Sequence, residues 1–316
     1  MLLPDKNSLI YGCMNLGGGW NNQNLSNTEI KAAHAALHTA IENGIHTFDH
    51  ADIYMHGKSE EVFGEFIKDN RNLRDHIRIQ SKAGIVLQAG PQRSNMYNSS
   101  KAYIIGQVEQ TLKRLNIDYL DTFFIHRPDP LTSYEELTET LSILLERKLT
   151  LHIGVSNMSV EQLHSINKAL DVDISANQIQ FSLGHSQLID HVVSFNLTHA
   201  SEQSTLGMLD YAQLNDMELQ AWSSLDRGRF IKSDLYGETE IEKDTRLLLE
   251  KLAINYETNP LAIQLSWIMN LPVKIHPIIG TTHPERIRMC AESDNVKLSK
   301  EDWYALWITA RGNPLP

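Results

Sequence analysis

His46-Thr-Phe-Asp-His-Ala-Asp-Ile-Tyr54 is the segment from which the rest of the chain can be ordered. An apolar lead-in, Ile45 to Phe48, delivers a carboxylate at Asp49 and a phenol at Tyr54, where a strand gives way to a loop. In α/β proteins the carboxyl ends of strands carry the chemistry, because the loops there are held by a rigid sheet. Taken alone, the same letters read more readily as a turn opened by Asp49 with Tyr54 packed under the next helix. Short motifs match by chance, so the meaning of this one depends on what flanks it.

On either side, short apolar strands alternate with amphipathic helices. Upstream, a strand over 8–12 runs into a glycine-rich loop, Gly17-Gly18-Gly19-Trp20. Ser26-x-x-Glu29 is a capping box, opening a helix that Asn43-Gly44 stops. Downstream, strands are expected at 77–82, 119–125, 151–155, 174–179, 217–222 and 273–279. Helices between them are signalled by Ser133-x-x-Glu136, Ser159-x-x-Gln162, Asn259-Pro260 and Ser299. The pattern fades into a polar segment over 182–205, long enough to suggest a functional or mobile loop. Counting the strand at 45–49, eight strands alternate with helices, which predicts a parallel sheet covered on both faces. Eight such units in 316 residues predict a single-domain α/β chain, a closed (β/α)₈ TIM barrel spanning 1–316 with its site at the C-terminal face of the strands. An open doubly wound sheet is the alternative.

Composition narrows the function. Hydrophobic residues at 41% and charged residues at 21% are those of an ordinary globular protein. A net charge of −11 argues against non-specific nucleic-acid binding, which needs basic clusters to replace counterions. The two cysteines, Cys13 and Cys290, form neither a disulfide scaffold nor a zinc motif. Pro4 and the charges beside it interrupt the amino terminus, and no apolar run approaches membrane-spanning length, so a cytoplasmic location is expected.

In the barrel frame, the expected strand ends present Asp49 and Tyr54, then Lys82, His126, Ser156-Asn157, Gln178, Trp222-Ser223 and Gly280 to Thr282. The segments Phe48-Asp-x-Ala-Asp-x-Tyr54, Ser81-Lys82, His126-Arg-Pro-Asp129, Gly154-Val-Ser-Asn157, Asn177-Gln178, Ala221-Trp-Ser223 and Pro277-Ile-Ile-Gly280 occur in that order. Together they resemble the aldo-keto reductases over essentially the whole chain. The resemblance is nearest to the bacterial YdhF-like oxidoreductase subgroup.

The chemistry explains the residue types. Carbonyl reduction needs a hydride donor and a proton donor at the developing alkoxide. A phenol, with an ordinary pKa of about 10, is a reluctant acid that an adjacent ammonium would help by lowering that pKa. The resemblance implies Tyr54 as general acid, with Asp49 holding Lys82 beside it and His126 orienting the substrate oxygen. It also implies NADPH, with NADH the weaker alternative, laid across the barrel mouth. No GxGxxG follows the first strand, so a Rossmann site is not indicated.

By the same resemblance Ser156, Asn157 and Gln178 would bond the carboxamide, and Trp222 would stack on the nicotinamide where many members carry tyrosine. Ser223, Leu225, Arg227 and Gly228 would strap the pyrophosphate. Gly280, Thr281, Thr282 and Arg286 would meet the adenosine 2′-phosphate, Gly280 standing where many members carry lysine. Trp20, Met55 and Arg127 are candidates for the substrate pocket, with a small-molecule carbonyl as the partner. His50 and Asp52 are read as packing residues behind the site.

Two other classes compete. One is a non-catalytic NADP(H)-binding redox sensor or interaction protein on the same barrel. The other is a metal-dependent hydrolase, suggested by the histidine-rich stretch from His46 to His56. It is disfavoured because no HxH pair stands at a strand end, and no metal is expected.

Overall fold

The computed structural model describes residues 8–88, 94–170, 172–190, 207–231 and 237–315. The chain starts with β1 (Ile10–Gly12), α1 (Asn27–Glu42), β2 (Thr47–Asp49), α2 (Lys58–Asp69) and β3 (Arg78–Ala83). A small hairpin follows, β4 (Ile85–Val86) with β5 (Met96–Tyr97), then α3 (Lys101–Leu115), β6 (Leu120–Ile125) and α4 (Tyr134–Glu146). The middle comprises β7 (Thr150–Ser156), α5 (Val160–Asn167), β8 (Ala176–Gln180), α6 (Gln187–Asp190) and α7 (Met208–Leu214). Last come β9 (Glu218–Trp222), α8 (Glu240–Asn255), α9 (Pro260–Met269), β10 (Ile275–Ile279), α10 (Pro284–Ala291) and α11 (Lys300–Arg311).

Among the described residues, eight parallel strands close in the order β1-β10-β9-β8-β7-β6-β3-β2. The barrel expected from the alternation is the barrel found, and the open sheet is excluded because β1 pairs with both β2 and β10. The strands are shorter than the apolar runs that signalled them. Ile45 and Met217 are buried beneath β2 and β9 without joining the ladder. Most of the segment over 182–205 lies outside the described residues.

The local signals act as their chemistry dictates. At α1 the Ser26 hydroxyl accepts from Glu29 N while the Glu29 carboxylate accepts from Ser26 N, so two orphan donors are satisfied at once. Ser159 and Gln162 repeat this reciprocal cap at α5. At α4 the box is half made. Ser133 accepts from Glu136 N, but the Glu136 carboxylate accepts from Lys101 N at the start of α3 instead, joining two neighbouring helices. Asn259 accepts from two backbone N–H groups ahead of Pro260.

Apolar faces of these helices cover the barrel, with Phe48, Phe63 and Phe66 in successive ring contact and Trp267 stacked between Phe181 and Trp303. Gly154 on β7 is required by close approach, since a Cβ there would overlap the Phe124 ring of β6. The register sets Asp49 opposite Gln80 and Gln178 opposite Gln220. Lys82, two residues beyond Gln80, therefore lies on the same face one layer nearer the carboxyl ends. No helix among the described residues is long and apolar enough to cross a membrane.

Candidate active site

At the carboxyl ends of the strands lies a cleft of about 770 Å³. Asp49, Tyr54, Lys82 and His126 line it, and so does every residue expected to hold a nucleotide, from Ser156 to Arg286. The Lys82 ammonium donates to both Asp49 carboxylate oxygens at 2.7 and 2.6 Å and to the His50 carbonyl at 2.8 Å. Both partners of this ion pair are buried. Burial alone pushes Lys82 towards the neutral form, but the Asp49 charge and Tyr54 outweigh it, so its pKa rises and it stays an ammonium.

Asp49 is also clamped from below. Gln80 and Gln178 each donate to its Oδ1, at 2.8 and 2.6 Å, and both donate to the Gln220 amide oxygen. Gln220 returns a bond to Gln80 and gives another to Glu218 at 2.7 Å, at the opposite mouth of the barrel. Sequence reasoning missed Gln80 and Gln220. Each stands two positions from a residue that was singled out, Lys82 and Trp222, and so on the same face of its strand.

The Lys82 ammonium lies 5.1 Å from the Tyr54 ring centroid. Its charge favours phenolate, as expected, but the net shift of Tyr54 is upward because burial is the larger effect. This corrects the expectation of a lowered pKa: the phenol keeps its proton throughout the neutral range. Tyr54 and His126 meet edge to face, with ring centroids 6.2 Å apart. Burial, then Lys82 and Arg127, hold His126 well below its usual pKa, so it is a neutral imidazole. Its Nδ1 is buried without a partner among the described residues. An orphaned acceptor is tolerated better than an orphaned N–H, which favours the tautomer with the proton on Nε2.

Among the described residues, five of the eleven non-glycine residues with positive φ line the cleft or directly follow Tyr54: Met55, His56, Asn157, Ser223 and Arg227. Strain of this kind, about 1 kcal/mol or more per residue, persists only where surrounding structure enforces it, and it gathers at functional sites. Lys58 contributes by bonding the carbonyls of Gly19 and Gln23 and the Asn21 side chain, tying down the glycine-rich loop.

Of the three residues expected to wall the substrate pocket, Arg127 lines the cleft and Trp20 and Met55 do not. The left-handed turn at Met55 sends its side chain beneath Gly17, where it is buried. Trp20 lies outside, 48% exposed, with its ring edge on His56. Asn157 is engaged within the protein, accepting from Trp222 Nε1 at 3.1 Å and donating to the Ser156 hydroxyl at 2.6 Å. Gln178 spends its amide nitrogen on Asp49 and Gln220, which leaves the amide oxygen as its group for a ligand.

Behind the tetrad, His50 packs on Phe63 with ring centroids 4.6 Å apart, and burial pushes it down to about 3. Burial, with Glu60 nearby, pushes Asp52 up to about 7. A carboxyl whose folded pKa exceeds its unfolded value of about 3.9 binds more protons folded than unfolded between the two, so stability falls as pH rises through that window. Asp52→Asn, mimicking the protonated form, is expected to gain on the wild type by about 2–4 kcal/mol between pH 4 and pH 8. Urea unfolding at the two pH values measures this, and a pH-independent difference would refute it.

The family model described as the Aldo/keto reductase family matches residues 8–308, and the chain belongs to that family of oxidoreductases. It is 30% identical to the 6-dehydroglucose reductase of Agrobacterium fabrum, covering 96% of this chain and 94% of that one. It is also 30% identical to the oxidoreductase YdhF of Escherichia coli, over 87% and 86% of the two chains. Among solved structures, an aldo-keto reductase from Klebsiella pneumoniae in complex with NADPH superposes with a TM-score of 0.73 at 23% identity. That match covers 98% of this chain and 92% of the other.

Proposed function

We propose that this protein reduces aldehyde or ketone carbonyls to alcohols with NADPH, Tyr54 delivering the proton. The observation that carries this reading is the convergence, in one cleft, of a protonated phenol, a buried ammonium–carboxylate pair beneath it and a neutral imidazole facing it.

The residues present fit a nicotinamide nucleotide. At the far end of the cleft, β10 gives way to Gly280-Thr281-Thr282 and then to α10, whose cap residue His283 offers no side-chain bond. Free N–H groups at a helix start, together with Arg286, suit a phosphate. A Cβ at Gly280 would meet only Asn15 Nδ2, at 3.8 Å, so the floor there is open. Ser223 to Gly228, with Arg227 unpaired among the described residues, suit the pyrophosphate. When bound, the nucleotide supplies the hydride.

The side chains divide the remaining work. His126 donates through Nε2 to the substrate oxygen and orients the carbonyl. Tyr54 gives its proton to that oxygen as negative charge develops there. Lys82 stabilises the phenolate left behind, and Asp49 with its glutamine clamp fixes where the ammonium stands.

The test is a panel of aldehydes and ketones followed by loss of reduced-nicotinamide absorbance, beside titrations with NADPH and NADH. Turnover with NADPH supports the reading; binding without turnover of any carbonyl favours a sensor. NADPH is expected to bind about 10–100-fold more tightly than NADH, and Arg286→Ala to remove most of that difference, as for one charge-assisted phosphate contact. Equal affinities in the wild type would remove Arg286 from that role.

A further inference from the structure

One cation on the walls of the cleft stands away from the side assigned to the phosphates. Asp49 is the one carboxylate among its described lining residues, and Lys82 neutralises it. Arg127, Arg227 and Arg286 also line the cleft, and none of them makes an ion pair among the described residues. In a chain of net charge −11 this is a locally cationic surface.

Arg227 and Arg286 stand after β9 and β10, on the wall assigned to the phosphates. Arg127 follows β6 and adjoins His126, at the reacting end. Its guanidinium reaches across the mouth to lie 5.7 Å from the Trp222 ring centroid. The acid nearest in sequence, Asp129, is consumed by its own loop. It accepts from Ser99 N, Leu131 N and the Thr132 hydroxyl, and these bonds hold it below the usual carboxylate range. A half-buried cation is thus kept beside His126 with no counter-ion among the described residues.

We propose that the cleft selects carbonyl substrates bearing a carboxylate, seated on Arg127 while the carbonyl oxygen lies between Tyr54 and His126. This rests on the carbonyl-reductase reading above. A planar guanidinium donates two parallel N–H bonds to a carboxylate, and a half-buried pairing is screened less than one on the open surface. A monoanion also balances the site. One cation is unmatched at this end, and His126 is neutral, so a phosphate of charge near −2 would remain undercompensated. The carboxylate takes no part in the bond changes; the hydride goes to the carbonyl carbon and the Tyr54 proton to its oxygen.

The experiment compares 4-carboxybenzaldehyde with its neutral isostere 4-formylbenzamide as substrates of the full-length protein with NADPH. It is run on the wild type and on Arg127→Met and Arg127→Lys. In the wild type kcat/KM for the carboxylate is expected to exceed that for the amide by about tenfold or more. The ratio should collapse in Arg127→Met, recover in part in Arg127→Lys and shrink with added salt. A wild-type ratio near one, or a ratio unchanged by Arg127→Met, overturns the proposal. So does an equal loss on both substrates with weakened NADPH binding, which would assign Arg127 to the nucleotide.

If neither aldehyde is turned over, the reductase reading fails and Arg127 is judged by calorimetry with 4-carboxybenzyl alcohol and its amide. Binding of the carboxylate alone, lost in Arg127→Met, supports the anion seat. Its absence overturns it.

Discussion

Tyr54→Phe is expected to lower kcat for aldehyde reduction by about 10³-fold while NADPH binds nearly as before. Removing the hydroxyl deletes the proton donor and nothing that holds the fold. The ring keeps its edge contact with His126, and the hydroxyl gives up its hydrogen bond with the Lys82 side chain, which Asp49 and the His50 carbonyl still hold. A positioned general acid contributes about 10²–10⁴-fold, so the loss should fall in that range. Single-turnover rates with saturating nucleotide measure it, and a variant retaining a tenth of wild-type turnover would dismiss Tyr54 as the donor. The pH profile supplies a second check. Burial holds Tyr54 above its ordinary pKa, and burial with two cations holds His126 far below its own, so neither changes charge near neutrality. Reduction by the wild type is therefore expected to be flat between about pH 6 and pH 9. A limb near the ordinary histidine value would transfer the acid role to His126.

Lys82→Met should do more damage, because it strikes stability and chemistry together. The side chain is nearly isosteric but carries no charge, leaving the Asp49 carboxylate buried with only amide donors from Gln80 and Gln178. Removing one member of a buried ion pair costs about 3–5 kcal/mol, chiefly from the charge left behind. Adding Asp49→Asn to the same variant removes that charge and should restore part of the stability without restoring activity. Urea unfolding of the three variants separates these effects. If the double variant is no more stable than Lys82→Met, the cost does not arise from an uncompensated carboxylate. Turnover should fall further than in Tyr54→Phe only if Lys82 aligns more than the phenol, so comparing the two also isolates its share.

Much of the barrel was legible because strands and helices announce themselves locally. Ser26, Ser159 and Asn259 cap helices by chemistry confined to three or four residues, and the eight apolar runs needed only to be counted. What escaped depends on distance. The hairpin of β4 and β5 pairs only two residues with two, Ile85 with Tyr97 and Val86 with Met96, too short a run for alternation to announce. Gln80 and Gln220 are 140 positions apart, and a glutamine in an alternating strand reads as a solvent-facing residue until closure of the barrel turns it inward. The direction of the Tyr54 shift was misjudged for a related reason. The neighbouring ammonium could be inferred from Lys82, whereas the depth of the cleft belongs to the assembled fold. Trp20 and Met55 lay near Tyr54 in expectation, but the left-handed turn at Met55 carries that side chain under Gly17, and Trp20 stays outside against His56.

The amide layer beneath Asp49 bears on how this protein can be hardened. A conventional route to thermostability exchanges buried polar side chains for aliphatic ones of equal volume, and Gln80 and Gln220 would be obvious targets inside a barrel. Here such exchanges would free the carboxylate to tilt and carry the ammonium with it. Each exchange would also strand amide partners of its own, at about 1–3 kcal/mol for every buried group left unsatisfied, so stability and turnover are expected to fall together. The interior of this barrel is thus a poor source of stabilising exchanges, and the outer helices are the safer place to look.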